Sequence, residues 1–257
     1  MNAHDPHALE AQMRPILATI RSEGYPRSPL RPQPPAAVPF VTISRQAGAG
    51  GWTLAQRLVD RLNAMEPNAA QPWTCWDREL VEKVAADHHI SQRLIERLDV
   101  AEHTWLDDLF SGFALDERSH APDEAFIFRR VAHTIRALAQ IGRVVIVGRG
   151  GVFFTRNIPG AVHVRLVAPL QHRVEYMARV LAVPEKVAAE EVKQTDKLRD
   201  AFYRRYWPGQ PLSPELFTLT INTAHVDESL CAELVLPLVL SPARLQRSPA
   251  SGAAGGV

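Results

Sequence analysis

Residues 38–44 read VPFVTIS, a short β-branched run, and pass directly into SRQAGAGGWT, where three glycines fall within four positions. Downstream, Thr53–Met65 carries Leu54, Leu58 and Leu62 at four-residue spacing, the period of a helix with one apolar face. A strand joined to a helix by Gly48, Gly50 and Gly51 constrains the fold more than any other part of the chain. Glycine accepts backbone angles closed to other residues, so the chain can wrap tightly there. The wrap turns successive N–H groups and the helix N-terminus toward one point, which suits an anion. The same residues also suit a ligand-free strand–helix turn, and both possibilities stand at this stage.

The apolar runs that follow alternate with helical patterns. Trp73–Trp76 predicts a short strand and Glu79–Ala86 a helix, and Glu124–Ile141 sets Ile127, Val131, Ile135 and Leu138 on one helical face. Val144–Val147, between Gly142 and Gly148, predicts a buried strand, and Ala161–Val167 and Leu216–Asn222 complete a set of about five. Continuous apolar strands alternating with helices predict an α/β fold, a central parallel five-stranded sheet covered by helices on both faces. Ligands in such sheets gather at the carboxyl ends of the strands. The folded unit is expected over residues 38–241. Residues 1–37 form an N-terminal extension: an amphipathic stretch at 8–22 interrupted by Pro15, then a linker at 25–37 with five prolines. Residues 242–257, rich in small side chains, predict a disordered tail.

Against the phosphate-loop pattern GxxxxGK[ST], the glycine segment fits in outline only. Arg45 stands in place of the first glycine, Gly51 in place of lysine and Trp52 in place of Ser/Thr, while Thr53 offers a hydroxyl one position later. Composition bears on this substitution. Only four of the 29 basic residues are lysines (Lys83, Lys186, Lys193 and Lys197), so none precedes residue 83. A GC-rich coding sequence accounts for most of such a skew, yet it leaves Arg45, or cations from elsewhere in the fold, to meet any polyphosphate. The formal net charge of +1 argues against a nucleic-acid-coating protein, and no apolar stretch approaches the roughly 20 residues of a membrane span. Cys75 and Cys231 are too few and too isolated for a disulfide framework or a CxxC metal site, and the polar N-terminus is not a secretory signal. A reduced, cytoplasmic protein without membrane or nucleic-acid partners is expected.

The ordered set SRQAGAGG, WDREL (76–80), VIVGRGG (145–151), DKLRDAFYRRYW (196–207) and TLTINT (218–223) resembles the cytidylate kinase-like family across roughly residues 39–240. These are P-loop proteins related to nucleoside monophosphate kinases. The resemblance implies a three-layer P-loop NTPase fold with a helical lid at about residues 169–212. It also implies ATP-dependent phosphorylation of CMP, dCMP or a related small acceptor, with Mg²⁺ bridging the phosphates. On that basis Arg45, Gly48, Ala49, Gly50, Gly51, Trp52 and Thr53 surround the donor phosphates, with Thr53 and Asp77 toward Mg²⁺. Asp77, Arg173 and Arg199 take the catalytic roles, and Arg78, Arg129, Arg149 and Arg204 face substrate. Family members typically carry a glycine at the lysine position, as Gly51 does; Trp52 stands where arginine is common, and Gly150 where CMP kinases have an acid.

Residue chemistry leaves several roles open. Asp77 can orient or deprotonate an attacking group, or cap the helix that starts near Glu79. Arg149, among glycines at a strand end, needs a phosphate or a structural carboxylate. The charges of 169–207 suit a solvated helical pair or a lid closing on phosphates, whereas Tyr203, Tyr206 and Trp207 suit packing at the lid base. Asn222 and Thr223 either line a base pocket or simply end a strand. The poorly patterned 87–125, with His103, Trp105, Asp107, Asp108 and Phe110, suits an acceptor lid or a partner surface. Two classes of function remain: a phosphotransferase for a nucleotide or other small acceptor, and a nucleotide-sensing module that binds without transferring phosphate.

Overall fold

The computed structural model describes residues 38–86, 122–148 and 150–241. In chain order these form β1 (Phe40–Arg45), α1 (Gly51–Met65), β2 (Thr74–Trp76), α2 (Arg78–Ala86), α3 (Pro122–Ile141), β3 (Val144–Val147) and the short α4 (Gly151–Thr155). Then come β4 (Ala161–Val167), α5 (Leu170–Leu181), α6 (Glu185–Tyr206), a 3-10 turn (Pro214–Leu216), β5 (Leu219–Asn222) and α7 (Glu228–Val239). The strands make one all-parallel sheet in the order β2-β3-β1-β4-β5. This is the α/β sheet the strand–helix alternation predicts, with boundaries within a few residues of those expected.

Strand alternation divides the core in two. Phe40, Trp76, Val144 and Ile146 face α2, α3 and α4, while Val41, Ile43, Val145, Val147 and Leu166 face α1 and α7. Consecutive side chains on a strand point to opposite faces, so VVIV is buried on both sides and fixes the register of β3 against β1, Val41 opposite Val145. The connection after β1 runs through α1 on one face, and that after β3 runs through α4 on the other. A crevice therefore opens between the carboxyl ends of these adjacent strands, the position where ligands enter such sheets.

The charged segment 169–207 folds as the helical pair α5 and α6. Its base is rooted twice: Val174, Ala188 and Val192 pack with Ala47 of the glycine loop, and the carboxyl end of α6 brings Trp207 into the core, 4% exposed and stacked on Phe153 at 4.5 Å. Tyr203 and Tyr206 join the same aromatic cluster, so these rings pack the lid base. Helix α7 carried no legible helical signal: Pro237 lies inside it, and buried Cys231, Ala232, Val235, Leu236 and Val239 share it with exposed Leu230 and Leu234. Residues 1–37, 87–121, Arg149 and 242–257 lie outside the described residues, and with them the expected N-terminal helix, linker, acceptor segment and tail.

One core group titrates unusually. His163 on β4 shares a 2.8 Å hydrogen bond through Nδ1 with Thr42 Oγ1, while its Nε2 meets no partner among the described residues. Burial depresses its pKa from 6.5 to about 4. In the unfolded chain the imidazole takes up its proton near pH 6.5, so the His163 contribution is complete above that pH and is lost as pH falls toward 4. The total is about 3 kcal/mol at 1.36 kcal/mol per unit. Urea unfolding of wild type and His163→Gln should therefore show a stability gap that shrinks by about this amount between pH 7 and pH 4. A pH-independent gap would contradict the assignment.

Candidate functional site

Gln46–Gly50 joins β1 to α1, and Gly48 and Gly50 both adopt φ +76°. That left-handed backbone favours glycine. The first turn of α1 has no side-chain cap and no acidic residue, so its N–H groups and the positive end of the helix dipole favour an anion at the loop. The loop is pinned from the lid helices. Arg173 of α5, 7% exposed, donates Nη1 to the Ala47 carbonyl at 2.9 Å and to Asp196 at 2.6 Å, and Nε to the Ala168 carbonyl at 3.0 Å. Asp196 of α6 in turn accepts the Ala47 N–H at 2.7 Å. A Cβ on Gly48 would collide with the Arg173 carbonyl, so this glycine is required by both backbone angle and space.

Toward β3 and β2 the loop borders a basic crevice. The Arg45 stem lies over Gly51 and its guanidinium lies against Gly148, at the end of β3. Asp77 and Arg45 both act on buried Cys75: burial raises its thiol pKa most, Asp77 raises it further, and Arg45 opposes them. Arg199 of α6 donates to the Arg45 carbonyl at 3.2 Å. Burial lowers its guanidinium pKa, Asp196 and Tyr203 counter that, and Arg173 and Arg78 reinforce it. Arg199 and Arg45 thus meet from two separate elements, with Arg78 near enough for its charge to act on Arg199. Asp77 caps α2, accepting the Leu80 N–H at 2.8 Å, and Arg78 pairs with Glu82 at 3.4 Å on the exposed side.

Toward β4 and β5 the loop borders a cavity of about 480 Å³. Ala49, Gly50 and Thr53 form one wall, His172, Tyr176, Arg179 and Val180 of α5 a second, and Thr223, Asp227 and Cys231 a third. Its size falls in the range of small-molecule sites. Thr53 Oγ1 and the Tyr176 hydroxyl share a 2.7 Å bond, and the Arg179 guanidinium sits 5.7 Å over the Tyr176 ring. Thr223 Oγ1 is buried without a partner among the described residues. Burial, with Asp227 and Glu228 adding, pushes the Cys231 thiol up to about 11, so it stays protonated near neutrality. Asn222 makes the strand-ending turn, accepting the Ala224 N–H at 3.1 Å; only Thr223 of that pair lines the cavity.

The expected site residues thus separate into groups. Arg45, Gly48, Gly50, Gly51, Asp77, Arg173 and Arg199 gather around the loop and crevice, and Ala49 and Thr53 line the cavity. Thr53 lies in the first turn of α1 with its hydroxyl on Tyr176, and Asp77 caps α2 at the end of β2, two strands from β1 in the sheet. Trp52 is 38% exposed and outside the cavity lining, and Arg129 and Arg204 are exposed on α3 and α6. Gly150, at φ +69°, lies under the Trp207 ring, which fills the space an acid at this position would need. No group of three or more His, Cys, Asp or Glu among the described residues could hold a metal ion, and no helix there is long and apolar enough to cross a membrane. His172, Tyr176 and Arg179 went unrecognised in the sequence, although their spacing of four and three residues marks one face of α5.

A family model described as the cytidylate kinase-like family matches residues 40–225, so the chain belongs to that family. An uncharacterised protein from Eubacterium ventriosum shares 18% identity at a TM-score of 0.58, over 78% of this chain and 97% of that one, a likeness of fold. A shikimate kinase from Acinetobacter baumannii, solved with shikimate, shares 17% identity over 80% and 94% of the two chains at a TM-score of 0.40. A uronate isomerase of Corynebacterium glutamicum is 29% identical over 92 residues, which span 36% of this chain and 18% of the isomerase. With the family match and the all-parallel β2-β3-β1-β4-β5 sheet, the fold is the P-loop kinase-like α/β architecture.

Two substitutions probe the site's framework. Asp196→Ala strands a buried guanidinium and frees the Ala47 N–H, and should cost about 3 kcal/mol in denaturant unfolding. Gly150→Ala combines left-handed strain with the clash against Trp207, and should cost at least about 2 kcal/mol. A loss under about 0.5 kcal/mol in either variant would show that the corresponding contact is not formed in solution.

Proposed function

We propose that this member of the cytidylate kinase-like family is a phosphotransferase that takes a nucleoside triphosphate on the cavity side of its glycine loop. The acceptor, on the crevice side, is a small phosphate-bearing molecule, CMP or dCMP first among the candidates. One observation carries this: the αL glycine loop, at an uncapped helix N-terminus, stands between a cavity of about 480 Å³ and a crevice bordered by Arg45 and Arg199, with the charges of Asp77 and Arg78 close by. Size and the hydroxyls of Thr53, Tyr176 and Thr223 suit a nucleoside in the cavity. The loop amides suit its phosphates.

ATP with Mg²⁺ would supply the transferable phosphoryl group. The described residues form no carboxylate cage, and the Thr53 hydroxyl is bonded to Tyr176, so Asp77 is the side chain that would hold Mg²⁺, which would offset charge on the phosphates. The loop amides hold the donor chain, and Arg45 and Arg199 offset charge on it. Arg173 holds the loop through Ala47 rather than reaching outward. Asp77 orients the acceptor nucleophile, and Arg78 and Arg149 meet the acceptor phosphate. Exposed Arg129 and Arg204 would take part only as outer contacts. Catalysis in such a site is positioning and charge neutralisation.

A coupled assay with ATP, Mg²⁺ and a panel of nucleoside monophosphates tests the proposal, with turnover of a pyrimidine monophosphate expected. Asp77→Asn keeps an oxygen for the helix cap but removes the charge, so it should leave stability nearly unchanged and lower kcat about 100-fold. Gly51 in place of lysine favours a second reading, a regulatory module that binds nucleotide without transferring phosphate. Calorimetric binding without turnover on any monophosphate would establish that one. Absence of nucleotide binding would remove both.

A further inference from the structure

We infer that the cation a phosphate-binding loop ordinarily carries at the start of its helix has moved, in this chain, to the end of the preceding strand. Arg45 is the donor-phosphate ligand, and its stem is what holds residue 51 to glycine. The inference rests on the reading of the glycine loop as a donor site.

The three glycines of the loop are not equivalent. Gly48 and Gly50 have φ +76°, a backbone reason for glycine, but Gly51 is the first residue of α1 and shows no such angle. Its reason is space. A Cβ there would lie 2.9 Å from Arg45 Cγ, 3.1 Å from Cδ and 3.3 Å from Cβ, so any side chain at 51 must displace the arginine. The position where the phosphate-loop pattern has lysine is therefore occupied by the aliphatic part of Arg45.

The guanidinium ends where a phosphate would need it. It lies against Gly148, where a Cβ would collide with Nη1, between the carboxyl ends of β1 and β3. That is the crevice opened by connections that leave to opposite faces. The backbone from which Arg45 springs is itself fixed, because Arg199 donates to the Arg45 carbonyl at 3.2 Å. Gly51 gives the stem a path, and Gly148 gives the head a seat. The exchange also answers the lysine shortage, since no lysine precedes residue 83. An arginine brings a planar fork in place of an ammonium point charge, so it suits two phosphate oxygens at once.

The exchange has a signature that a merely structural arginine lacks: residues 45 and 51 must be non-additive, with a change of sign. Calorimetry on the full chain, with inorganic tripolyphosphate and with ATP plus Mg²⁺, reads it. Arg45→Gln keeps the stem and removes the charge; affinity for both probes should fall about 10- to 100-fold in protein that thermal unfolding shows to be folded. Arg45→Lys, which keeps the charge without the fork, should fall between the two and serves if the glutamine variant does not fold. Gly51→Lys alone should weaken binding, because the new side chain expels Arg45. In the Arg45→Ala, Gly51→Lys double variant binding should return to within about tenfold of wild type. Equal affinity of wild type and Arg45→Gln, or tighter binding by Gly51→Lys with Arg45 retained, would overturn the inference and leave the phosphotransferase reading intact. If wild type binds neither probe, the donor-loop reading falls and takes the inference with it.

Discussion

The ion pair between Arg173 and Asp196 is the contact on which the arrangement of the site depends. Buried charges are costly to desolvate, and a pair this enclosed is tolerable only when its remaining hydrogen-bonding groups are satisfied. Here Arg173 also reaches the carbonyls of Ala47 and Ala168, and Asp196 takes the Ala47 N–H. Both polar groups of one loop residue are thereby held by one pair, whose two halves come from different lid helices. The glycine loop is kept open by protein contacts and does not need a bound anion to define it. The same bonds anchor the base of the lid, so any closing motion of α5 and α6 must bend beyond Arg173 and Asp196, toward the turn that joins the helices.

Space, as much as backbone angle, dictates the glycines around this pair. Gly48 makes room for the Arg173 carbonyl, Gly51 for the Arg45 stem, Gly148 for the Arg45 guanidinium and Gly150 for the Trp207 ring. In each case the neighbour is a large side chain, or its backbone, from another element. Departures from the common phosphate-loop pattern are therefore paired with bulk placed opposite them. Opposite Gly150 stands the aromatic ring that roots α6 in the core. Opposite Gly51, where the phosphate-loop pattern has lysine, stands an arginine of β1. Changing either glycine without its partner would disturb packing before it restored any chemistry.

Much of this was legible in the chain. The β-branched runs gave β1, β3 and β4 nearly to the residue, because strands buried on both faces need continuous apolar sequence. The glycine cluster gave the loop, since two of its glycines have positive φ. What stayed hidden depends on contacts between distant segments. The resemblance sets Thr53 and Asp77 toward Mg²⁺, whereas the bond from the Thr53 hydroxyl to Tyr176, 123 residues away, is not readable from linear order. Asp77 could be read as cap or catalyst, and the structure makes the cap explicit. His172, Tyr176 and Arg179 were lost among the charges of a helix that looked solvated, since nothing in their own sequence tells that the α1 and α7 termini lie opposite. Helix α7 escaped because its apolar residues do not keep to one face.

The sheet order has a further consequence for specificity. With β1 at the centre, the glycine loop has β3 and β2 on one side and β4 and β5 on the other, and the cavity and the basic crevice open on opposite sides of it. The two compartments also differ in chemistry. The cavity is lined by hydroxyls, an aromatic ring and both signs of charge, whereas Arg45 and Arg199 border the crevice, with the charges of Asp77 and Arg78 close by. The first arrangement selects by shape and hydrogen bonding; the second selects by negative charge almost regardless of what carries it.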